Sequence, residues 1–213
     1  MRTLFALYGA ALAKDICIHT LYVLVSVAVG FALGLVLGIL LSRVPKWSGL
    51  ILPVLSVFQT IPGLVFIGVL YIWWGSVYPT VIVALSVYAM FPVLKNTYTG
   101  ILGVEQRYIE AAKGCGMSAF QTLFKVELPL AMPTIIAGLR MATIYTVSWA
   151  VLAAMIGLGG LGDFVYQGVG SNNNTLILLG AIPAAALAIA FGAVIDLLQK
   201  KVTPRGLRKE VGR

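Results

Sequence analysis

The chain has few charged side chains, which argues against an ordinary soluble domain. Only 10% of its 213 residues are Asp, Glu, Lys or Arg, whereas 60% are hydrophobic. Soluble globular domains carry about 25% charged residues, so most of this surface does not face water. The length fits one domain, and we expect that domain to lie in a membrane.

Cysteine and histidine are too scarce to suggest a metal centre or a disulfide framework. The two cysteines are Cys17 and Cys115, and the single histidine is His19. Neither cysteine has a second Cys or His at metal-ligand spacing. We expect His19 to be an interfacial residue without a ligand role. A membrane enzyme is therefore disfavoured, since no cluster of His, Cys or carboxylates supports one.

Acidic residues are absent from the centres of the apolar runs. Asp196 lies near the end of the last run, four residues before Lys200, and this spacing predicts an interfacial ion pair on one helix. Carriers driven by ion gradients usually need ionisable groups inside the membrane. An ion-coupled secondary carrier is therefore disfavoured, and the energy for any such movement would have to come from elsewhere.

Five apolar runs approach or exceed the roughly 20 residues that a spanning helix needs. They predict an all-α membrane protein with five transmembrane helices. A lead-in segment, 1–19, precedes them, a polar loop, 95–132, divides them, and a basic tail, 199–213, follows. The five runs are 20–41, 50–73, 78–94, 133–156 and 176–198.

The positions of the basic residues predict the orientation. Twelve Lys and Arg residues lie on the side of loop 95–132 and the tail, whereas the other side has only Arg2 and Lys14. Cytoplasmic loops are enriched in Lys and Arg, so we predict an outside N-terminus and a cytoplasmic C-terminus. Arg140 is expected to extend toward the same positive side. Because the net charge of +8 forms no single patch, nucleic-acid binding is disfavoured.

Small residues mark one face of the first span. Gly30, Gly34 and Gly38 are spaced by four residues and therefore stack on one side of a helix. Such residues allow close approach of another helix in lipid. The partner helix is either part of this chain or part of a second subunit.

The second span is interrupted in its middle by Gln59-Thr60-Ile61-Pro62-Gly63, where Pro-Gly breaks a helix. Broken backbone at membrane depth is tolerated where protein or a water-filled cavity covers it. Gln59 is therefore a candidate residue of a translocation path, with a structural kink as the alternative. Tyr145, Ser148 and Trp149 in the fourth span either face the same path or pack in the interior.

The polar loop predicts two short helices separated by a glycine turn. The first covers 105–112 and is ended by Gly114 or Gly116, either of which suits a positive φ. Ser118 is expected to cap the second helix, with Gln121 as its capping-box partner. Helices this short are unstable alone in water, so they need a groove or the rest of the domain to hold them.

The end of the loop is expected to separate the second short helix from the fourth span. Leu128-Pro129 is predicted to end that helix, and Pro133 is predicted to begin the span.

This loop resembles the signature loop of the permease subunits of binding-protein-dependent ABC importers. The signature reads Glu-Ala-Ala, three residues, Gly, nine residues, Ile, any residue, Leu-Pro, and Val126 replaces Ile here. In that family the loop is the coupling helix, which fits a groove on the ATPase subunit. The resemblance assigns ATPase coupling to Glu110, Ala111, Ala112, Gly114, Gly116, Leu128 and Pro129.

Other segments are similar to the glycine betaine, carnitine and choline branch, whose members import quaternary-amine osmoprotectants in bacteria. An amino-acid permease, for methionine or histidine, is the alternative. The similar segments are Gln59-Thr60-Ile61-Pro62, Lys95-Asn96-Thr97-Tyr98-Thr99-Gly100-Ile101, Gly116-Met117-Ser118 and Gly159-Gly160-Leu161-Gly162-Asp163.

The resemblance implies a type I ABC importer permease fold in the bacterial cytoplasmic membrane. It also implies a second permease, identical or homologous, two cytoplasmic ATPase subunits and an extracytoplasmic binding protein or lipoprotein. The chain lacks the Gly-x-x-x-x-Gly-Lys-Ser/Thr phosphate loop, so ATP and Mg are expected on the partner ATPase. No cofactor or metal is expected in this chain.

Overall fold

The computed structural model describes residues 2–203, except for the side chains of residues 2–6 and 45. All regular secondary structure in this range is helical, which confirms the predicted all-α class. The helices are α1 Arg2–Ser42, α2 Pro45–Phe58, α3 Gly63–Trp74, α4 Val77–Leu102, α5 Gln106–Gly114, α6 Ala119–Thr122, a π-turn Leu123–Glu127, α7 Leu128–Ala150, a 3-10 turn Val151–Ile156, α8 Leu161–Gly170 and α9 Asn174–Val202.

Four helical segments in this range are long and apolar enough to cross a membrane. A fifth span is formed only if α2 and α3, which bend by 86° at their junction, are counted together. The predicted break at Gln59 to Gly63 is therefore present, and it is sharper than a kink. The four continuous segments are Leu7–Ser42, Val77–Leu102, Ala119–Ile156 and Asn174–Val202.

Two spans extend well beyond the predicted apolar runs. α1 includes most of the predicted lead-in 1–19, because no Pro or Gly pair interrupts the chain around Lys14 and Asp15. α4 continues to Leu102, eight residues past the predicted end, for the same reason. Of the predicted tail 199–213, residues 204–213 lie outside the described residues.

α4 is the central helix, and α1 and α7 pack against it. The largest buried cluster contains side chains from all three, including Val23, Val81, Val93 and Val147, each 1% exposed or less. α9 packs against α7 and α8, whereas α2 and α3 lie at the periphery.

The glycine face of α1 lies directly against α4 of the same chain. A Cβ at Gly34 would lie 2.5 Å from the Met90 carbonyl oxygen, and one at Gly30 would lie 2.7 Å from the Ser86 carbonyl oxygen. At Gly38 the distance to the Thr97 Cβ would be 2.6 Å. Of the two alternatives for this face, the structure supports packing within the chain.

The predicted stop at Leu128-Pro129 is wrong, because the helix continues from Ala119 through the π-turn into α7. The Leu128 N–H donates to the Leu123 carbonyl, five residues back, which is π-helical bonding. Pro129 then occupies the first turn of α7, where its missing N–H and fixed φ are tolerated. Pro133 lies inside α7 and does not begin it.

Candidate coupling segment and translocation path

The Glu-Ala-Ala part of the loop lies on α5, and the turn after it depends on Gly116. Gly116 has φ +75°, whereas Gly114 is still helical. The Met117 N–H donates to the Ala112 carbonyl (3.1 Å) and the Gly116 N–H to the Lys113 carbonyl (2.9 Å). These two bonds around a left-handed glycine form a Schellman motif, so Gly116 provides the positive φ.

The second helix of the loop begins with the predicted capping box. The Gln121 N–H donates to Ser118 Oγ (3.3 Å), and the Ser118 N–H donates to Gln121 Oε1 (2.9 Å). The N-cap prediction is therefore confirmed. Gly116 and Ser118 together set the angle between α5 and the helix that leads into α7.

The loop turns one face toward the chain and leaves another exposed. Ala112 and Leu123 are buried, whereas Glu110 and Ala111 are exposed. Two aromatic side chains extend the exposed face: Phe120 is 71% and Phe124 is 50% exposed, with their ring centroids 4.4 Å apart. Residues 106–129, which we call the coupling segment, thus present small and aromatic side chains outward.

The beginning of the coupling segment carries a solvent-exposed ion pair. Arg107 Nε lies 2.7 Å from Glu105 Oε2. The Glu105 carboxylate raises the pKa of the Arg107 guanidinium above its ordinary value. Exposed pairs contribute little to stability, so this one adds charge pattern to the surface more than it adds rigidity.

A second ion pair lies at the other end of the segment, and its carboxylate is buried. This pair was not predicted from the sequence. Arg43, just after α1, donates from Nη1 to Glu127 Oε1 (3.2 Å) and from Nη2 to Glu127 Oε2. The Glu127 side chain is 5% exposed and that of Arg43 is 43% exposed. Glu127 occupies the variable position between Val126 and Leu128. A carboxylate between two apolar residues is the one sequence feature that could have indicated a buried ion pair here.

The candidate path residues separate into two groups. Gln59 is exposed and lines a groove of 320 Å³ between α2 and α4, together with Lys95 and Thr99. Tyr145 and Ser148 are exposed on α7. These polar side chains lie on the surface of a single chain, where lipid, water or another subunit would cover them.

Trp149, by contrast, packs at the break in the second span. Its ring stacks on Tyr88, with centroids 4.1 Å apart, and occupies the space that a Cβ at Gly63 would need. The Tyr88 hydroxyl donates to the Ile61 carbonyl at 2.8 Å. Tyr88 and Trp149 therefore hold the bend between α2 and α3 against α4 and α7.

The predicted pair of Asp196 with Lys200 is wrong, because Asp196 pairs with Arg140 across two helices. Arg140 Nε lies 2.8 Å from Asp196 Oδ1, and both side chains are about half exposed. α7 and α9 run antiparallel here, since Gln199 Nε2 donates to the Pro133 carbonyl at 3.1 Å. Spacing along one helix could not reveal this partner on another.

His19 is buried and links α1 to α7, rather than lying at an interface. It is 2% exposed, and its Nε2 donates to the Val147 carbonyl at 3.1 Å. Within residues 2–203, His, Cys, Asp and Glu side chains do not gather in any group of three that could hold a metal ion.

The turn after the fourth span uses glycines with positive φ and brings two carboxyls close together. Gly157, Gly159 and Gly160 have φ between +82° and +91°. Burial raises the pKa of the Asp163 carboxyl above its ordinary value, and the negative charge of Asp15 adds to this shift.

Comparison with known families decides the class of the chain. Residues 30–207 match the family described as the inner membrane component of binding-protein-dependent transport systems. The chain belongs to this family. Membership removes the secondary-carrier alternative, and we refer to the chain below as the permease.

Curated relatives match the permease over nearly its whole length. It is 38% identical to the glycine betaine/carnitine/choline transport system permease protein OpuCB of Bacillus subtilis (strain 168), covering 99% of the permease and 98% of that relative. It is also 38% identical to the carnitine transport permease protein OpuCB of Listeria monocytogenes, and 39% identical to the choline transport system permease protein OpuBB of Bacillus subtilis (strain 168). Both of these matches cover 90% of the permease and 88% of the relative.

Solved structures show the same fold. An inward-facing methionine ABC transporter, MetNI, has a chain that superposes with a TM-score of 0.82 at 23% identity, covering 92% of the permease and 98% of that chain. An amino acid ABC transporter with histidines gives a TM-score of 0.77 at 17% identity, covering 92% and 96%. The expected type I importer permease fold is confirmed.

Proposed function

We propose that the permease is the membrane subunit of an ATP-driven importer for a quaternary-amine osmoprotectant of the glycine betaine, carnitine or choline type. The observation that carries this proposal is the near-full-length similarity, at 38–39% identity, to relatives whose names specify those solutes. The methionine and amino-acid transporters match in fold at lower identity, so an amino-acid cargo is the weaker candidate.

Coupling to ATP hydrolysis is proposed to pass through the coupling segment. Its exposed face combines Glu110, Ala111 and two aromatic rings, and Gly116 and the capping box give it a defined shape. The family signature over Glu110, Ala111, Ala112, Gly114, Gly116, Leu128 and Pro129 supports docking in a groove of a cytoplasmic ATPase. ATP and Mg are bound by that ATPase in this proposal, and the permease contributes no cofactor.

The other partners follow from the same assignment. A second permease, identical or homologous, completes the path, two ATPases bind on the cytoplasmic side, and a binding protein or lipoprotein delivers the solute outside. Twelve of fifteen basic residues on one side support a cytoplasmic C-terminus and an outside N-terminus in a bacterial cytoplasmic membrane.

Transport in this proposal is alternating access, in which partners bind two states of the permease with different affinities. Gln59, Tyr145 and Ser148 line the path, because they are polar, exposed and located on spanning or broken-span helices. Trp149 has a positioning role at the bend between α2 and α3.

Reconstitution tests the function directly. The permease, its ATPase and its binding protein are incorporated into vesicles with ATP on the ATPase side, and uptake of labelled glycine betaine, carnitine and choline is measured. We expect uptake that requires hydrolysable ATP and is unaffected by ionophores. Uptake of labelled methionine or histidine, with no uptake of quaternary amines, would instead support an amino-acid importer.

A further inference from the structure

The carboxylate of Glu127 is the most deeply buried charge whose contacts the structure describes in the coupling segment. Its side chain is 5% exposed, and it lies in the π-turn that joins α6 to α7. A buried ionised carboxylate is strongly destabilising unless it is paired and hydrogen bonded. The π-turn can therefore pack only where a basic side chain reaches the Glu127 carboxylate.

Arg43 meets that requirement from a distant part of the chain. It lies 84 residues away in sequence, and two of its guanidinium nitrogens bond to the two oxygens of Glu127. A bidentate Arg–carboxylate pair fixes the relative orientation of the two side chains as well as their distance. A single hydrogen bond or a Lys side chain fixes the distance alone.

The two members of the pair lie on different segments of the chain. Arg43 directly follows α1, whose three glycines pack so closely on α4 that an added Cβ would lie 2.5–2.7 Å from its atoms. Glu127 continues without a break into α6 on one side and α7 on the other. The pair thus bridges the coupling segment and the α1–α4 unit.

An apolar cluster lies beside the pair at this junction. Leu123 of the π-turn packs with Ile101 of α4 and with Ala131 and Ile135 of α7, and Leu35 and Ile39 of α1 pack against this cluster. Apolar burial is non-directional, so such contacts hold the parts together without defining one register. The ion pair adds a directional contact to them.

We propose that Arg43 and Glu127 are positioning residues that pass movement of the coupling segment to the α1–α4 unit. The inference rests on the proposed function, in which an ATPase moves the coupling segment. It assigns the pair a part in coupling, beyond its part in folding. The observable consequence is the number of ATP molecules hydrolysed per solute molecule imported.

The variants E127Q, R43Q and the double variant R43Q/E127Q test this assignment in vesicles that contain the whole transporter. We expect E127Q to keep ATP hydrolysis stimulated by the binding protein while raising the ATP consumed per solute about tenfold. Because the two residues act through each other, the double variant should be no worse than E127Q alone. R43Q leaves a buried carboxylate without its partner, so the assignment is decided by the other two variants.

Asp196→Asn is the matched control. It removes an Arg–carboxylate pair of similar kind between α7 and α9, outside the coupling segment. We expect it to leave the ATP-to-solute ratio as in the wild-type protein. A purely structural role for Arg43 and Glu127 predicts the same for E127Q, with uptake and hydrolysis falling in proportion, and that result would overturn the inference.

The failure of the inference can be told apart from failure of the proposed function. If the wild-type transporter shows no ATP-driven uptake of any quaternary amine, the proposed function is wrong. If the wild-type transporter imports and E127Q keeps a normal ratio, or if the double variant multiplies the defect of E127Q, only the assignment of the pair is wrong.

Discussion

The α1–α4 contact and the bent α2–α3 pair represent opposite ways of packing helices in one chain. α1 meets α4 at backbone distance along three glycines, over about two turns. α3 has two buried residues, Gly63 and Ile67, and most of α2 is exposed or partly exposed. The first contact is close along its whole length, whereas the second is held mainly where Trp149 meets Gly63.

From this difference we infer which parts of the permease move together. Because α1 and α4 pack at backbone distance, we expect them to move as one body, which the Arg43–Glu127 pair joins to the coupling segment. The α2–α3 pair leaves polar groups such as Gln59 exposed, and within a broken span another subunit or water would have to cover them. We therefore propose that force passes through the α1–α4 body, and that Gln59 beside the bend contributes to the path surface together with Tyr145 and Ser148 of α7.

Gly34→Leu should disrupt the α1–α4 contact and cause the largest loss of stability. A side chain there would collide with the Met90 backbone oxygen, which cannot rotate away. We expect destabilisation of more than about 3 kcal/mol, measured as loss of folded protein in a thermal unfolding assay in detergent. Gly9→Leu on the same helix is the control, since no heavy atom lies within 4 Å of its Cβ position. Equal stability of the two variants would contradict the account of this contact.

Gly63→Ala should weaken the contact that holds the α2–α3 bend, with a smaller loss of stability. The new Cβ would overlap the Trp149 ring, but the ring can move, so we expect a loss of about 1–3 kcal/mol. The Tyr88–Trp149 stack should be disturbed, which a change in tryptophan fluorescence would report. Gly68→Ala, on the same helix, is the control, because no heavy atom lies within 4 Å of its Cβ position. A normal fluorescence spectrum for Gly63→Ala would show that the bend does not depend on this contact.

Gly116→Val should separate coupling from folding. A β-branched residue at φ +75° costs about 1–2 kcal/mol locally, and it changes the angle between α5 and α6. We expect normal membrane insertion and loss of ATP-dependent uptake, measured in the reconstituted transporter.

Gly116→Asn provides the matched control, because Asn tolerates the left-handed region better than Val. It should retain a large part of the uptake. If the Val variant imports as well as the Asn variant, the backbone conformation of this turn is not required for coupling.

The outer turn offers the smallest effect. The pKa of Asp163 is raised in the folded state by burial and by Asp15, so its charged form opposes folding. The folded state therefore favours the neutral carboxyl. This contribution to the free energy of unfolding is complete below the unfolded pKa of about 3.9 and is lost as the pH rises through the folded pKa. Asp163→Asn should therefore raise the unfolding temperature slightly at pH 7, and the gain should shrink toward pH 4. A gain that is constant with pH would contradict this origin.

Local patterns in the sequence predicted a large part of the coupling segment. A positive φ at Gly114 or Gly116, which the structure places at Gly116, and the Ser118–Gln121 box follow from the chemistry of residues three or fewer apart. The break at Pro62-Gly63 and the close packing of Gly34 follow in the same way from residue size and backbone freedom.

The contacts between distant helices could not be predicted in this way. The partners of Glu127 and Asp196 are Arg43 and Arg140, and nothing in sequence spacing connects them. The π-turn was not predicted, because Leu128-Pro129 was expected to end the helix. In the structure, a turn with i→i+5 bonding precedes Pro129 and lets the helix continue past it. Exposure was the other gap: Trp149 packs inward although it belongs to the same segment of α7 as Ser148.

The reactivity of Cys115 tests the central claim, that the coupling segment docks on a cytoplasmic ATPase. This exposed thiol lies between Gly114 and Gly116, whereas Cys17 lies on α1. A membrane-impermeant maleimide is added to inside-out vesicles with the ATPases bound and again after they are stripped off. The account predicts that Cys115 is protected in the first case and labelled in the second, while Cys17 reacts only from the outside of intact cells. Labelling of Cys115 from outside, or equal labelling with and without the ATPases, would contradict it.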